Sequence, residues 1–340
     1  MVEIDLMVTL WPSFPHFERF ANDRRLSGIR LNSAMMSNPE LEYELEIIDK
    51  LKPPVPLYYD IKGRQLRVTK VHLNPGYLDL ELNHPISVNT PTVVLFKAGA
   101  DDALLERVEE DGNRLIFCGG PEYMVIAGES LHIRDKSLKV GGPQFTDLEL
   151  LKIEKVKKAG FKRYCLSYVE NQQDVDEFLD LVGREAEVYL KIENKKGLEY
   201  VKNEFQKQPN LSLIAARGDL YVETDMPHEI LPAMRLIIEK DPGAMVGSRI
   251  LLSVVDAPVK DLKEVLEELH ENRLDHSQAA QILYSMLTTT VPSCVDFSEL
   301  AWLYDIGYRK MLLCDELCLK ENLLTTAVNV IDVFRREYSP

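Results

Sequence analysis

No stretch of this chain approaches about 18 consecutive apolar residues, the length a membrane-crossing helix needs. The opening residues MVEIDLMVTL carry Glu3 and Asp5 where a secretory leader carries basic side chains, so no leader is expected. Cysteine is sparse. Cys118, Cys165, Cys294, Cys314 and Cys318 are odd in number and scattered, which speaks against a disulfide framework and for reduced thiols. Cys314 and Cys318 lack a zinc spacing, and the 7 histidines show no metal-ligand spacing and are expected at the surface or in caps. A surplus of positive charge is also missing. With 40 Lys and Arg against 55 Asp and Glu, the net charge of −15 excludes a general affinity for nucleic acid or anionic membranes, while leaving room for a local cationic pocket. These absences together lead us to expect a soluble, cytoplasmic protein.

What is present is an ordinary globular composition, 45% hydrophobic over 340 residues, enough for a large core. From the N-terminus, strand-like runs alternate with helical patterns: DLMVTL, a helix over 17–25, GIRLN, a helix over 39–51, then VPLYYDI. The alternation stops at 71–142, where short β-rich pieces such as YLDLEL, TPTVVLF and NRLIFC lie between Asn, Pro and Gly turns. It resumes with a helix over 147–159, the strand RYCLSYV, a helix over 174–181, the strand VYLKIEN, a further helix, and the strand LSLIAARGDLYVE. A helix over 229–239, the strand RILLSVV, helices within 261–287, a shorter one over 297–304, the strand KMLLC and a last helix follow. Setting the insertion aside, this repeat of strand and helix predicts an α/β chain with a (β/α)8 TIM barrel. The barrel is expected over 1–70 and 143–340, with a small β domain, or lid, inserted after the third strand at 71–142.

In such barrels chemistry gathers at the C-terminal ends of the strands. That rim would collect Arg30 and Asn32 from the second strand, Asp60 from the third, Ser167 from the fourth, Lys191 and Glu193 from the fifth, and Asp219 from the sixth. Lys191 and Glu193 share a face because strand side chains alternate. Two carboxylates beside an ammonium suit a divalent cation and an anionic substrate, since Mg²⁺ prefers a few carboxylates plus substrate oxygens.

The same residues carry a resemblance to the pyruvate kinase family over nearly the whole chain. GIRLNSAMM resembles that family's RLNFSHG segment, PLYYDIKGRQLRV its LDLQGPKIRV, and YCLSYVENQQDV its ALSFVRSAEDV. LKIEN and AARGDLYVE resemble the KIEN and ARGDLGVE segments, and PSCVDFSELAWLYDIG is similar to PTRAEVSDVANAVLDG. No counterpart of the family's C-terminal regulatory domain is expected. The resemblance implies Mg²⁺ (or Mn²⁺) on Glu193 and Asp219, with Lys191 as the catalytic cation at the enolate oxygen and the phosphoryl group. It further implies phosphate and carboxylate binding by Arg30 and the backbone around Arg217 and Gly218, and a nucleotide phosphate contact at Arg67. Asn32 and Asp60 would form part of a K⁺ site.

Several family groups are missing at the positions the resemblance assigns. The seventh-strand threonine falls at Val254, with only Ser253 nearby, and the lid lysine falls near Ala127. Lys136 or Lys139 would have to substitute for that lysine. The K⁺ site loses a serine at Ala34 and a threonine at Ile61, Met35 replaces a histidine, and a glycine becomes Tyr221. Three functions therefore stay open: the glycolytic transfer of a phosphoryl group between phosphoenolpyruvate and ADP, with ADP or ATP as bound nucleotide; metal-dependent enolate chemistry on pyruvate or another 2-oxo acid, as in a lyase or decarboxylase; and a non-catalytic relative that binds a metabolite or protein partner. The acidic segment PVKDLKEVLEELHENRLDH is read as a solvated helix face and a candidate contact in a homo-oligomer.

Overall fold

A strand buried on both faces needs apolar side chains on each, and the runs LMV, GIRL, YYDI and YLKI meet that need while passing a polar residue inward at alternate positions. In the computed structural model, which describes residues 2–255 apart from 36 and 75, and residues 292–339, these runs close into a barrel of eight parallel strands. They are β1 (Asp5–Thr9), β2 (Gly28–Asn32), β3 (Leu57–Ile61), β11 (Arg163–Leu166), β12 (Glu187–Ile192), β13 (Leu211–Ala216), β14 (Met245–Gly247) and β15 (Lys310–Leu312). Strand β15 pairs back onto β1 through Asp5 opposite Lys310, which closes the ring. The expected α/β barrel is thus the observed one.

The period of two decides what each strand sends inward. Met7, Tyr58, Cys165, Tyr189, Ile214, Met245 and Leu312 form a packed layer of their own inside the ring. Two residues further along, Asp60, Ser167 and Lys191 stand above this layer on the same side of their strands. The intervening Leu166, Leu190, Ile192 and Leu213 face the helices and join the main core.

Between β3 and the helix Asp147–Lys158, a five-stranded antiparallel sheet is ordered β4 (Val68–His72), β5 (Asp79–Leu82), β9 (Arg114–Cys118), β8 (Asp101–Glu109) and β7 (Thr92–Phe96). It has its own core, with Leu80, Leu82, Val94, Phe96, Leu115 and Phe117 buried together. A smaller pair joins β6 (Ile86–Ser87) and β10 (Lys139–Val140).

Two strand readings need correction. The seventh strand is not RILLSVV but Met245–Gly247, and residues 252–254 form a 3₁₀ turn. The longer apolar run misleads because Ile250, Leu251 and Val254 are buried by packing at the barrel end rather than by pairing. The sixth strand stops at Ala216, and Arg217–Glu223 is a helix, so Asp219 sits in a helical first turn, where a negative charge meets the positive end of the dipole. The helices expected within 261–287 and the acidic segment lie outside the described residues. No described helix is long and apolar enough to cross a membrane.

In the inserted sheet the turn after β8 depends on Gly112, whose φ is +104° and whose added Cβ would stand 2.4 Å from the carbonyl oxygen of Ile86. Gly112→Ala is expected to lower stability by about 1–3 kcal/mol, since the φ is strained for a side chain and the added Cβ would overlap the Ile86 backbone. Denaturant unfolding checks it, and an unchanged midpoint would refute the role of this turn.

Candidate active site

Asp60 is the centre of the rim. Its carboxylate is fully buried, and Oδ2 lies 2.8 Å from Lys62 Nζ, 3.3 Å from Arg30 Nη1 and 3.6 Å from Lys191 Nζ. Oδ1 accepts from Ser167 Oγ at 3.3 Å, and that hydroxyl in turn accepts from Lys191 Nζ at 2.7 Å. Burial alone would raise the Asp60 carboxyl, but Lys191, Lys62 and Arg30 hold it well below the ordinary carboxylate range. Lys191 is raised despite its burial, by Asp60 and Glu193, and so stays an ammonium. Lys62 goes the other way: burial outweighs Asp60, and with Lys191, Arg67 and Arg30 nearby it falls to about 8.

The carboxylates beside Lys191 are Glu193 and Asp219. Glu193 is fully buried; Oε2 accepts from the backbone N–H of Tyr168 at 2.9 Å, while Oε1 lies 2.7 Å from Lys191 Nζ without hydrogen-bond geometry. Burial, and then the negative charge of Asp219, push Glu193 upward against Lys191. Two carboxylates are the donor type that Mg²⁺ or Mn²⁺ takes together with substrate oxygens, and a divalent cation there would relieve that repulsion on displacing the Lys191 ammonium from Glu193 Oε1. Among the described residues no group of His, Cys, Asp or Glu side chains already forms a metal cluster.

Lys191 and Asp219 open into a cavity of about 540 Å³, with Glu193 and Asp60 buried behind its wall; the lining includes six cations, Arg30, Lys62, Arg67, Lys97, Lys191 and Arg249, against three acids, Asp219, Asp315 and Glu316. In a chain with net charge −15 this is the local positive pocket that composition left room for. The inserted sheet supplies one wall. Lys97, at the turn after β7, lines the cavity with its Nζ 3.4 Å from the Tyr123 ring centroid. Arg67 also faces it, with Nε and Nη2 donating to Gln65 Oε1. Of the lysines in the inserted region named here, Lys97 lines this cavity, Lys136 lines a separate one, and Lys139 lies on β10.

The K⁺ reading of Asn32 and Asp60 does not fit. Asp60 already holds Lys62, and Asn32 is committed on both ends, its Nδ2 donating to Asp315 Oδ2 at 2.9 Å and its Oδ1 accepting from Ala34 N at 3.2 Å. The lost seventh-strand hydroxyl also needs correction. Val254 is fully buried, and Ser253 Oγ is taken up by Ser293 N and Asp296, at the start of the helix Cys294–Asp305. With the strand ending at Gly247, the residue at its mouth is Ser248, which lines the cavity. Gly218 is bare enough to admit it, since an added Cβ would meet Ser248 Cβ at 3.3 Å. Arg217 does not turn into the cavity; its Nη2 donates to Ser248 O at 2.9 Å and its Nη1 to Glu299 at 2.5 Å. Tyr221 is exposed under the Arg249 guanidinium, outside the cavity lining.

Three histidines are buried rather than superficial, His16, His84 and His132. His132, from the inserted region, pairs its Nδ1 with Glu223 Oε1 at 2.7 Å and sets its Nε2 3.5 Å from Asp219 Oδ1. Burial works against its protonation, but Glu223, Asp219 and Glu193 together raise it above the usual imidazole value. With Arg134 Nε donating to Val222 O, it fastens the inserted sheet to the helix that carries Asp219. Nothing in the sequence signals this contact, whereas Lys62 and Asp315 were accessible to the alternation and strand-end rules already applied to their neighbours.

Comparison with known proteins bears on this geometry. The pyruvate kinase of Methanocaldococcus jannaschii is 26% identical over 285 residues, which is 78% of this chain and 61% of that protein. That of Dictyostelium discoideum is 22% identical over 84% of this chain and 59% of its own length, and that of Thermoplasma acidophilum 24% over 74% and 48%. The chain is a divergent relative of the pyruvate kinases. It spans roughly half to three-fifths of the length of the curated relatives it matches. No protein-family model matches it. Among solved structures, the pyruvate kinase of Pyrobaculum aerophilum superposes with a TM-score of 0.66 at 15% identity, covering 99% of this chain and 73% of that one, which supports the fold.

For this pyruvate kinase relative, the cost of breaking the buried cluster can be stated. Asp60→Asn removes the one carboxylate shared by Lys62, Lys191 and Arg30 and is expected to cost about 3–5 kcal/mol of stability, because it strands buried charge. Chemical denaturation with two probes checks this, and a loss below about 1 kcal/mol would show the cluster to be solvated.

Proposed function

We propose that the cavity transfers a phosphoryl group between phosphoenolpyruvate and ADP, using a divalent cation on Glu193 and Asp219. The observation that carries this reading is Lys191, an ammonium kept charged by Asp60 and Glu193 and exposed to a cavity lined by further cations. Phosphoryl transfer asks little covalent chemistry of a protein and much charge neutralisation. Lys191 would meet the enolate oxygen as it becomes anionic, while Lys97, Arg67 and Lys62 would face phosphate oxygens. A divalent cation, when bound, would supply Lewis-acid polarisation of the same oxygen. Ser248 brings a hydroxyl to the seventh strand's end, where the enolate carbon must gain its proton.

A second reading, enolate chemistry on a 2-oxo acid without phosphate, is favoured by one observation. Arg30, the cation expected to take phosphate, is already bound by Asp315 and Asp60. In that reading Lys191 and the cation stabilise the enolate and no nucleotide is needed.

A coupled assay with Mg²⁺, phosphoenolpyruvate and ADP is expected to yield ATP at a rate unaffected by replacing K⁺ with tetramethylammonium, because Lys62 stands at Asp60. Lys191→Met should lower that rate about a hundredfold or more. Absence of ATP formation would overturn the first reading, and Lys191-dependent exchange of deuterium into pyruvate would then support the second.

A further inference from the structure

Asp315 follows the eighth strand and reaches across the cavity mouth to the second. Its Oδ1 takes Arg30 Nη2, and its Oδ2 takes Asn32 Nδ2 at 2.9 Å. The remaining nitrogens of that guanidinium are engaged from below, Nη1 by Asp60 at 3.3 Å and Nε by Thr9 Oγ1 at 2.9 Å. Of the two carboxylates on Arg30, Asp60 has no exposed surface, whereas the Asp315 side chain is 33% exposed. Asp60 is fixed, and only Asp315 can be exchanged for a ligand from the cavity.

A carboxylate bound to a guanidinium through one oxygen, with its other oxygen held by an amide, matches how a small oxyanion would sit there. We propose that Asp315 occupies the oxyanion seat of Arg30 and acts as a built-in competitor that sets the specificity of the site against phosphorylated ligands. An incoming phosphate must displace a tethered carboxylate or sit beside it, and both weaken binding. A small carboxylate that uses Lys191 and a cation at Glu193 avoids that conflict. This inference rests on the second reading above, in which the cavity takes a small 2-oxo acid without phosphate, and it counts against the first.

The test compares binding of inorganic phosphate, and of oxalate with Mn²⁺, by calorimetry on the full chain. Asp315→Asn keeps an oxygen acceptor for Arg30 but removes the charge, and is expected to tighten phosphate binding about tenfold, the scale of one partly exposed charge pair. Asp315→Ala should do the same, which guards against a particular effect of the amide. Glu316→Gln, on the same wall but with no bond to Arg30, should tighten phosphate binding by clearly less than either Asp315 variant. Oxalate with Mn²⁺ should bind wild type and Asp315→Asn alike. Unchanged or weaker phosphate binding in folded Asp315→Asn and Asp315→Ala, with oxalate still bound, would overturn the inference and leave that second reading standing. An equal gain from Glu316→Gln would also overturn it, by reducing the effect to general charge. Failure of both anions to bind every variant would overturn the inference together with the reading beneath it.

Discussion

One buried carboxylate carries the site. Asp60 stands above the packed layer of the barrel with no surface exposed, and two ammonium groups and a guanidinium are arranged around it. Removing so many charges from water is costly, and only mutual pairing with additional hydrogen bonds offsets it. Ser167 supplies one such bond, joining Asp60 to Lys191, so the lysine is held from two sides before any ligand arrives. A preorganised ammonium requires little rearrangement when an oxygen above it becomes anionic, which is where electrostatic catalysis gains its advantage.

The same constraint accounts for the poor fit of a monovalent cation at this rim. With Lys62 at 2.8 Å, Asp60 has no vacancy for a monovalent cation, and Asn32 has turned its amide to Asp315. The region around Glu193 and Asp219 differs. There the Lys191 ammonium lies 2.7 Å from Glu193 Oε1 and offsets part of the cost of burying that carboxylate near Asp219, a balance that an added cation would shift further. His132 shows how the inserted region takes part, since its bond to Glu223 sets the lid against the helix bearing Asp219 and its bond to Tyr168 sets it against the end of the fourth barrel strand.

Much of this was legible in residues alone, for physical reasons. Closed parallel strands bury both faces, so their runs are apolar and stand out, and the period of two put Lys191 and Glu193 on one face with no need of coordinates. The seventh strand was misread because burial and pairing leave the same apolar mark: Ile250 and Leu251 are buried without pairing, while Met245–Gly247 pairs and is short. That slip also hid Ser248. Asp219 was taken for a strand end because its helix starts with no interruption after Ala216. His132 and Lys97 reach the site only through the docking of the inserted sheet, a long-range contact that local pattern does not encode. Asp315 was within reach of the strand-end rule and was missed because that rule was applied to fewer strands than close the ring.

The most direct test of the account is anomalous scattering from crystals grown with Mn²⁺ and oxalate. The account predicts one manganese peak between the carboxylates of Glu193 and Asp219, with oxalate bridging it to Lys191 Nζ. A peak elsewhere, or an oxalate seated away from Lys191 with the Glu193 oxygen still unbonded, would contradict it.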